Sequence, residues 1–270
     1  MAYQPSALLD PARLGTLLTR GAGRFDVDAL DCCDSTSSEL SRRAQAGAPA
    51  GTVVVADAQT AGRGRRGRAW LAGPEEGLTF SLLWRFPRDF RHFSGLSLAV
   101  GVAVARACAR LGADGVGLKW PNDVLAAVPG GWGKLAGILV ELQAQGDGML
   151  AVIGIGLNLQ APRLPPGAGL PVASLAERLG AVPERHAVMA ALLDALAEVL
   201  EVFNHQGFAA CREEWQGYHV WQDQTVVLMQ DGQLQGRGLC RGADEDGALL
   251  LERDGRVVRY LAGDLSLRPA

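Results

Sequence analysis

The chain lacks the sequence features of several protein classes. Its longest notable apolar run, residues 98–105, is far shorter than the roughly 20 residues that a helix needs to cross a bilayer. The N-terminal segment has no basic stretch and no apolar core of a secretory signal, so we expect a cytoplasmic protein. The 5 cysteines show no CxxC spacing and the 4 histidines form no paired pattern, which predicts reduced thiols and no structural zinc. The net charge of −3 argues against a surface built as a whole to hold nucleic acid.

The order of the predicted elements divides the chain into two parts. Apolar residues make up 48% of the sequence, enough for a substantial core, and helical and strand patterns alternate up to residue 217. Beyond that point short strands are separated by Asp-Gly turn signals that begin at residues 231, 246 and 254. We therefore predict an α+β domain over residues 1–217 and a small β-barrel over residues 218–270.

A loop rich in arginine and glycine is the least regular part of the first domain. Residues 62–68 read Gly-Arg-Gly-Arg-Arg-Gly-Arg, which matches the G-x-G-x-x-G pattern of dinucleotide-binding turns. That interpretation fails because no helical pattern follows the glycines, whereas such a fold holds pyrophosphate at a helix N-terminus. A phosphate-binding lysine loop is excluded too, because Leu135 and not Ser or Thr follows Lys134. The guanidinium groups suit carboxylate and phosphate oxygens, so the loop indicates a local anion site or, alternatively, a nucleic-acid patch.

Four further segments follow one another in a specific order with that loop. They are Asp-Ser-Thr at residues 34–36, Lys-Trp-Pro-Asn-Asp at 119–123, Gly-Lys-Leu-Ala-Gly-Ile-Leu-Val-Glu at 133–141 and Gly-Ile-Gly-Leu-Asn at 154–158. This set resembles the motifs of biotin protein ligases. The C-terminal residues 266–268, Ser-Leu-Arg, resemble the end of the family's C-terminal barrel. One departure stands out, since the family usually has Asn where this chain has Ser37.

The resemblance implies a fold, a reaction and partners. The fold is a mixed β-sheet flanked by helices, related to class II synthetases, with a small SH3-like barrel after it. The reaction uses ATP and Mg²⁺ to convert biotin to biotinyl-5'-AMP, and a lysine of a biotin carboxyl carrier protein then displaces AMP. The chemistry of amide formation agrees with this reaction, because a carboxylate reacts with an amine only after conversion to an activated form such as a mixed anhydride. Forming that anhydride brings several negative oxygens into one pocket, where pre-placed cations are needed to stabilise them.

The resemblance also assigns roles to residues of this chain. The expected catalytic groups are Lys134, Arg65 and Arg63. The expected biotin-binding residues are Ser35, Thr36, Gln59, Gly62, Arg63, Lys134 and Gly137. The expected nucleotide-binding residues are Arg65, Arg68, Trp70, Lys119, Asn122, Asp123, Asn158 and Arg268, with Asp123 also a candidate ligand for Mg²⁺.

Two alternatives and two questions of assembly accompany this interpretation. A lipoate or octanoate ligase of the same superfamily would share the sheet and differ in its pocket. A nucleic-acid-binding module would use the arginine loop, but it should interleave aromatic residues, and only Trp70 is near. Because 33 residues precede Asp34, fewer than the roughly 50 of a small domain, we expect no operator-binding domain. The apolar hairpin predicted at residues 137–158 offers a sheet edge for a homodimer.

Overall fold

Helices and strands account for most of the chain, which a computed structural model describes over residues 3–86, 93–145, 148–162, 171–263 and 265–270. The helices are α1 (Pro11–Leu17), α2 (Thr36–Gln45), α3 (Leu96–Arg110), α4 (Leu175–Leu179), α5 (Arg185–Gln206) and α6 (Arg212–Tyr218). The strands are β1 (Asp26–Cys33), β2 (Thr52–Gln59), β3 (Gly77–Phe86), β4 (Val116–Lys119), β5 (Asp123–Val128), β6 (Gly131–Gln145), β7 (Gly148–Asn158), β8 (Thr225–Gln230), β9 (Gln233–Ala243), β10 (Leu249–Arg253), β11 (Arg256–Tyr260) and β12 (Ser266–Pro269). Within the described ranges, no helix combines the length and the apolar character needed to span a membrane.

A mixed sheet of seven strands, in the order β1-β2-β3-β7-β6-β5-β4, organises the first part of the chain. Strands β1 and β2 are parallel and connected through α2, and the other neighbours are antiparallel. Strand β2 is apolar at successive positions because both faces of the sheet are covered. Val53 and Val55 belong to the apolar cluster that contains α3 and α5, whereas Val54 and Ala56 pack with Leu40 of α2. The predicted mixed sheet with flanking helices is confirmed.

The predicted central hairpin is formed by β6 and β7. These strands pair antiparallel from Ala136 and Leu157 to Gln145 and Gly148, and the turn residues 146 and 147 lie outside the described residues. On its other side β6 pairs with β5 only over residues 131–137. The remainder of β6 therefore has no second strand beside it in the described part of the chain.

The C-terminal part differs from the predicted barrel. Its strands are present near the expected positions, together with the unpredicted β12, but they form an open antiparallel sheet in the order β11-β10-β9-β8-β12. The barrel prediction was wrong because β11 and β12 lie at opposite edges and do not pair within the described residues. One face of this sheet packs instead on the first domain, where Val226, Leu228 and Leu251 join its apolar cluster. The Trp120 indole N–H also donates to the Gly247 carbonyl at 3.0 Å. The boundary after residue 217 stays a prediction.

Candidate active site

One cavity, with about 460 Å³ of empty space that opens to solvent, collects most of the residues singled out in the sequence. The N-terminal end of α2, the end of β2, the arginine loop and the centres of β3, β6 and β7 form its walls. The lining residues are Ser35, Thr36, Ser37, Gln59, Arg63, Gly64, Arg65, Trp70, Thr79, Phe80, Asn122, Lys134, Gly137, Ile138, Leu139, Gly154, Ile155 and Gly156. Arg65 and Lys134, which lie 69 positions apart in the printed sequence, thus face the same space.

Buried hydroxyl groups form one polar wall of this cavity. The Thr36 hydroxyl lies 2.9 Å from that of Ser81, which in turn lies 3.0 Å from the hydroxyl of Ser37. The backbone N–H of Thr36 donates to the Gln59 side-chain oxygen at 2.8 Å. Ser35 occupies the N-cap position of α2, yet its side chain makes no capping hydrogen bond. The Ser35 side chain therefore does not cap this helix.

Ser81 is a member of this group that sequence analysis missed. It lies on β3 and is completely buried. The available signal was a serine within a largely apolar strand, since a buried hydroxyl needs a hydrogen-bonding partner when both faces of the sheet are covered. Ser37, noted only as a departure from the family motif, lines the cavity and supplies one of those partners.

Two glycines opposite each other on neighbouring strands form the floor under the Trp70 indole. Gly137 on β6 pairs with Gly156 on β7. A Cβ atom on Gly156 would lie 2.3 Å from the indole ring, and one on Gly137 would lie 3.1 Å from it. At Gly62 a Cβ would lie 2.5 Å from the Trp70 carbonyl oxygen. The close approach of Trp70 therefore depends on glycine at positions 62 and 156, whereas a Cβ at position 137 would require only a small shift of the indole.

Lys134, Asp123 and Lys119 form a chain of ion pairs at the opposite wall. The Lys134 Nζ lies 2.7 Å from one carboxylate oxygen of Asp123, and the Lys119 Nζ lies 2.8 Å from the other. Burial raises the pKa of this carboxyl, but the two ammonium groups outweigh burial and lower the pKa to about 2. Asp123 is therefore a carboxylate at neutral pH, with each oxygen accepting from one lysine.

The backbone of Lys134 is held by Asn158. The Asn158 side-chain amide donates to two backbone carbonyl oxygens, those of Lys134 and Ala173, each at 3.1 Å. Asn158 is 3% exposed and is not among the residues that line the cavity. Its expected contact with adenine or ribose stays a prediction, and the described contacts give it a bracing function for the strand that carries Lys134.

Three arginines of the loop contact three different parts of the molecule. Arg63 forms a bidentate pair with Glu141 of β6, at 3.0 and 2.6 Å. Arg65 donates to the Asn122 side-chain oxygen at 2.9 Å and to the carbonyl oxygen of Gly263. Arg66 pairs with Asp231, in the turn between β8 and β9. Sequence analysis missed these acidic partners, which are far away along the chain.

Arg68 and Arg268 were predicted to bind the nucleotide and lie outside the main cavity. Together with Arg66 they line a second cleft, between the arginine loop and the C-terminal sheet. The 3₁₀ turn at Arg65–Gly67 directs consecutive arginines to opposite sides, with Arg66 in the left-handed region at φ 62°. The loop therefore presents Arg63 and Arg65 to one space and Arg66 and Arg68 to another.

Comparison with known proteins places this site in a family. Residues 29–158 match the model of the biotin/lipoate A/B protein ligase family. The bifunctional ligase/repressor BirA of Salmonella typhimurium is 35% identical over 268 residues, which cover 99% of this chain and 81% of that protein. The biotin–[acetyl-CoA-carboxylase] ligase of Mycobacterium tuberculosis is 35% identical over 92% of this chain and 91% of its own length. The chain belongs to the biotin protein ligase family.

The fold of this biotin protein ligase family member agrees with that of a solved relative. The biotin protein ligase from Aquifex aeolicus, in complex with biotin and ATP, aligns with a TM-score of 0.77 and 29% identity, over 92% of this chain and all of the other. In the described part of the chain, no three His, Cys, Asp or Glu side chains are grouped so that they could hold a metal ion.

Proposed function

We propose that this chain forms biotinyl-5'-AMP from biotin and ATP and transfers the biotinyl group to a lysine of a biotin carboxyl carrier protein. The observation that carries the proposal is the convergence of Lys134 and Arg65 on one cavity that also has a wall of buried hydroxyls. A solved relative at 29% identity holds both biotin and ATP. The proposal rests on family membership and on this arrangement of charge.

Biotin binds, in this proposal, with its ureido ring at the hydroxyl wall. A ureido group offers a carbonyl acceptor and two N–H donors, and Ser35, Thr36 and Gln59 supply matching partners. Gly137 lines the cavity without a side chain, which leaves its backbone accessible there. Gly62 does not line the cavity and acts indirectly, because it lets the Trp70 backbone approach closely. The ring end is therefore recognised by neutral hydrogen bonds, and the carboxylate end extends toward the cations.

The first chemical step joins the biotin carboxylate to the α-phosphate of ATP. A carboxylate oxygen attacks the α-phosphorus, and pyrophosphate leaves with the electrons of the broken P–O bond. Negative charge accumulates where Lys134, Arg63 and Arg65 converge, and pre-placed cations stabilise such a transition state without reorganisation. Asp123 and Asn158 act indirectly, because they hold the ammonium and the backbone of Lys134.

The nucleotide occupies the side of the cavity that Trp70 and Asn122 border. Trp70 offers an aromatic face for the adenine, and its buried indole N–H has no partner in the described structure. Asn122 acts through Arg65, whose guanidinium donates to it at 2.9 Å. Lys119, Arg68 and Arg268 contribute longer-range charge toward the phosphates, since none of the three lines the main cavity.

Mg²⁺ enters this proposal as part of the ATP substrate. Mg²⁺ prefers oxygen ligands and in such sites is shared between one or two carboxylates and the substrate phosphates. Asp123 was the candidate ligand, but both of its oxygens already accept from lysine ammonium groups. A metal bound there would compete with two cations, so we assign Asp123 to Lys134 and the metal to the triphosphate.

In the second step the acceptor lysine attacks the acyl carbon of the adenylate. The C–O bond to phosphate breaks, AMP leaves, an amide forms, and the amine proton passes to solvent. The acceptor must reach the open side of the cavity.

We further propose that the protein is cytoplasmic and that it forms a homodimer. The dimer would use the part of β6 beyond residue 137, where no second strand covers the edge in the described part of the chain.

Incubation with radiolabelled biotin, Mg²⁺ and ATP tests the function directly. The wild-type protein should accumulate a bound adenylate and transfer label to a purified carrier protein. Lys134→Ala should slow adenylate formation by about 100-fold or more, the scale for removing one pre-placed charge donor. Arg256→Ala, at an exposed position on β11, serves as the control and should behave like wild type. Adenylate formation from lipoate and not from biotin would contradict the proposal.

A further inference from the structure

The basic residues of this chain are almost all arginines. Of the 26 Lys and Arg residues, only Lys119 and Lys134 are lysines. Both ammonium groups bind the same carboxylate, Asp123, at 2.8 and 2.7 Å. The exposed fraction of the side chain is 8% for Lys119 and 33% for Lys134. No lysine lies elsewhere on the surface.

This distribution matters because of the intermediate in the proposed function. An acyl-adenylate is a mixed anhydride that reacts with any neutral amine it meets, including amines of the enzyme that made it. A guanidinium supplies positive charge but stays protonated in proteins, with a pKa above about 12, so it has no nucleophilic lone pair. Arginine can therefore surround the intermediate without reacting with it.

Lys134 is the only amine side chain that lines the described cavity. Its Nζ lies 5.6 Å from the centre of the Trp70 ring and 2.7 Å from Asp123. This contact directs the Nζ atom toward the Asp123 carboxylate and restrains it there, so the nitrogen is not free to approach an acyl carbon. The same contact that places the charge of Lys134 at the cavity thus limits the reach of its nitrogen.

We propose that this protein is protected from acylation by its own biotinyl-adenylate. Charge around the cavity is carried mainly by arginines, and Asp123 holds the nitrogen of Lys134 in place by direct contact. The reaction that is prevented is attack of the Lys134 nitrogen on the acyl carbon. It would form an amide and release AMP and one proton. This inference rests on the proposed function and adds a role for Asp123 as a positioning residue that controls chemical selectivity.

Mass spectrometry after incubation with biotin, Mg²⁺ and ATP, without a carrier protein, tests the inference. Peptide mapping of the wild-type protein should find no biotin on Lys119 or Lys134. Asp123→Asn should gain biotin on Lys134, because the carboxylate no longer restrains the amine. Biotin on Lys134 of the wild type would overturn the proposal. Absence of any adenylate would instead contradict the proposed function.

Three arginine-to-lysine variants test the inference even if the Asp123→Asn variant does not fold. Arg63 lines the cavity, Arg66 lies in the adjoining cleft and Arg256 lies on β11 at the far edge of the C-terminal sheet. The measured quantity is the biotin incorporated at the new lysine per adenylate formed. It should be highest at position 63, lower at position 66 and lowest at position 256. We expect at least about a tenfold difference between the first and the last, because an amine beside the intermediate has a high effective concentration. Equal labelling at all three positions would contradict the inference.

Discussion

Replacing Asp123 with asparagine tests how strongly the paired lysines stabilise the protein. Burial raises the pKa of the Asp123 carboxyl, but Lys134 and Lys119 lower it from its ordinary 3.8 to about 2. A change of this size corresponds to about 2 kcal/mol of stability at neutral pH. The asparagine variant also leaves the Lys119 ammonium, 8% exposed, without its carboxylate, and removing one partner of a buried pair costs about 3–5 kcal/mol. We expect a loss of about 2–5 kcal/mol in the free energy of unfolding.

The loss should depend on pH in a definite direction. Because the folded-state pKa of Asp123 is lowered, the stabilisation is complete above the ordinary value of 3.8 and disappears as the pH falls through about 2. Urea unfolding of wild type and variant should therefore give a constant difference from about pH 7 to about pH 5 that shrinks toward pH 3. The exposed Asp114, changed to asparagine, is the matched control and should alter stability by less than about 0.5 kcal/mol.

Two results would refute this reasoning. A variant as stable as wild type at neutral pH would mean that the ion pairs of Asp123 contribute nothing to the folded state. Adenylate formation that is lost in Asp123→Asn and restored by excess Mg²⁺ would assign the carboxylate to the metal ion instead of to Lys134.

Three other substitutions test the arginine loop and the contacts of Asn158 at the end of β7. Arg65→Gly should still form the adenylate but release it faster, measured by filter retention of labelled intermediate and by labelling of added bystander lysines; unchanged release would contradict the retention role. Asn158→Ala should raise the KM for biotin and lower kcat by about tenfold or more, because two carbonyls lose their donor and the Lys134 ammonium shifts; unaltered kinetics would show that the brace is dispensable. Asp231→Asn should increase proteolytic cleavage of the arginine loop by about two- to fivefold, the scale of one exposed ion pair. Asp254→Asn, in the equivalent Asp-Gly turn with the same positive φ, should leave cleavage unchanged, and equal cleavage of the two variants would refute the contact.

The residues of the cavity could be predicted from the sequence because they lie in short motifs. Ser35, Thr36, Arg63 and Lys134 each lie in a short motif whose order matches a family, and the structure brings them to one space. Such motifs do not indicate which residues from distant parts of the sequence will contact them. Glu141, which pairs with Arg63, carries no local sign of that contact, since a carboxylate on a strand is equally compatible with solvent.

The same limit explains the errors in the fold. Strand β1 was not predicted because its polar and apolar residues alternate only partly, and β5 was hidden between the Pro-Asn-Asp motif and the glycines at residues 130–131. The C-terminal strands were predicted from their turns, but turns do not determine whether a sheet closes. Closure depends on whether edge strands meet, and here packing of one face on the first domain competes with it.

The paired glycines beneath Trp70 restrict how substrate choice can change in this scaffold. Any side chain at position 156 would collide with the indole, whose nearest atom lies 2.3 Å from the Cβ position. Mutational paths toward larger or differently shaped acids therefore run through other lining positions such as Ser37 and Thr79, where a substitution must also replace a buried hydroxyl and its hydrogen bond. A library confined to those two positions would sample new ring shapes while leaving the surface on which the tryptophan rests untouched.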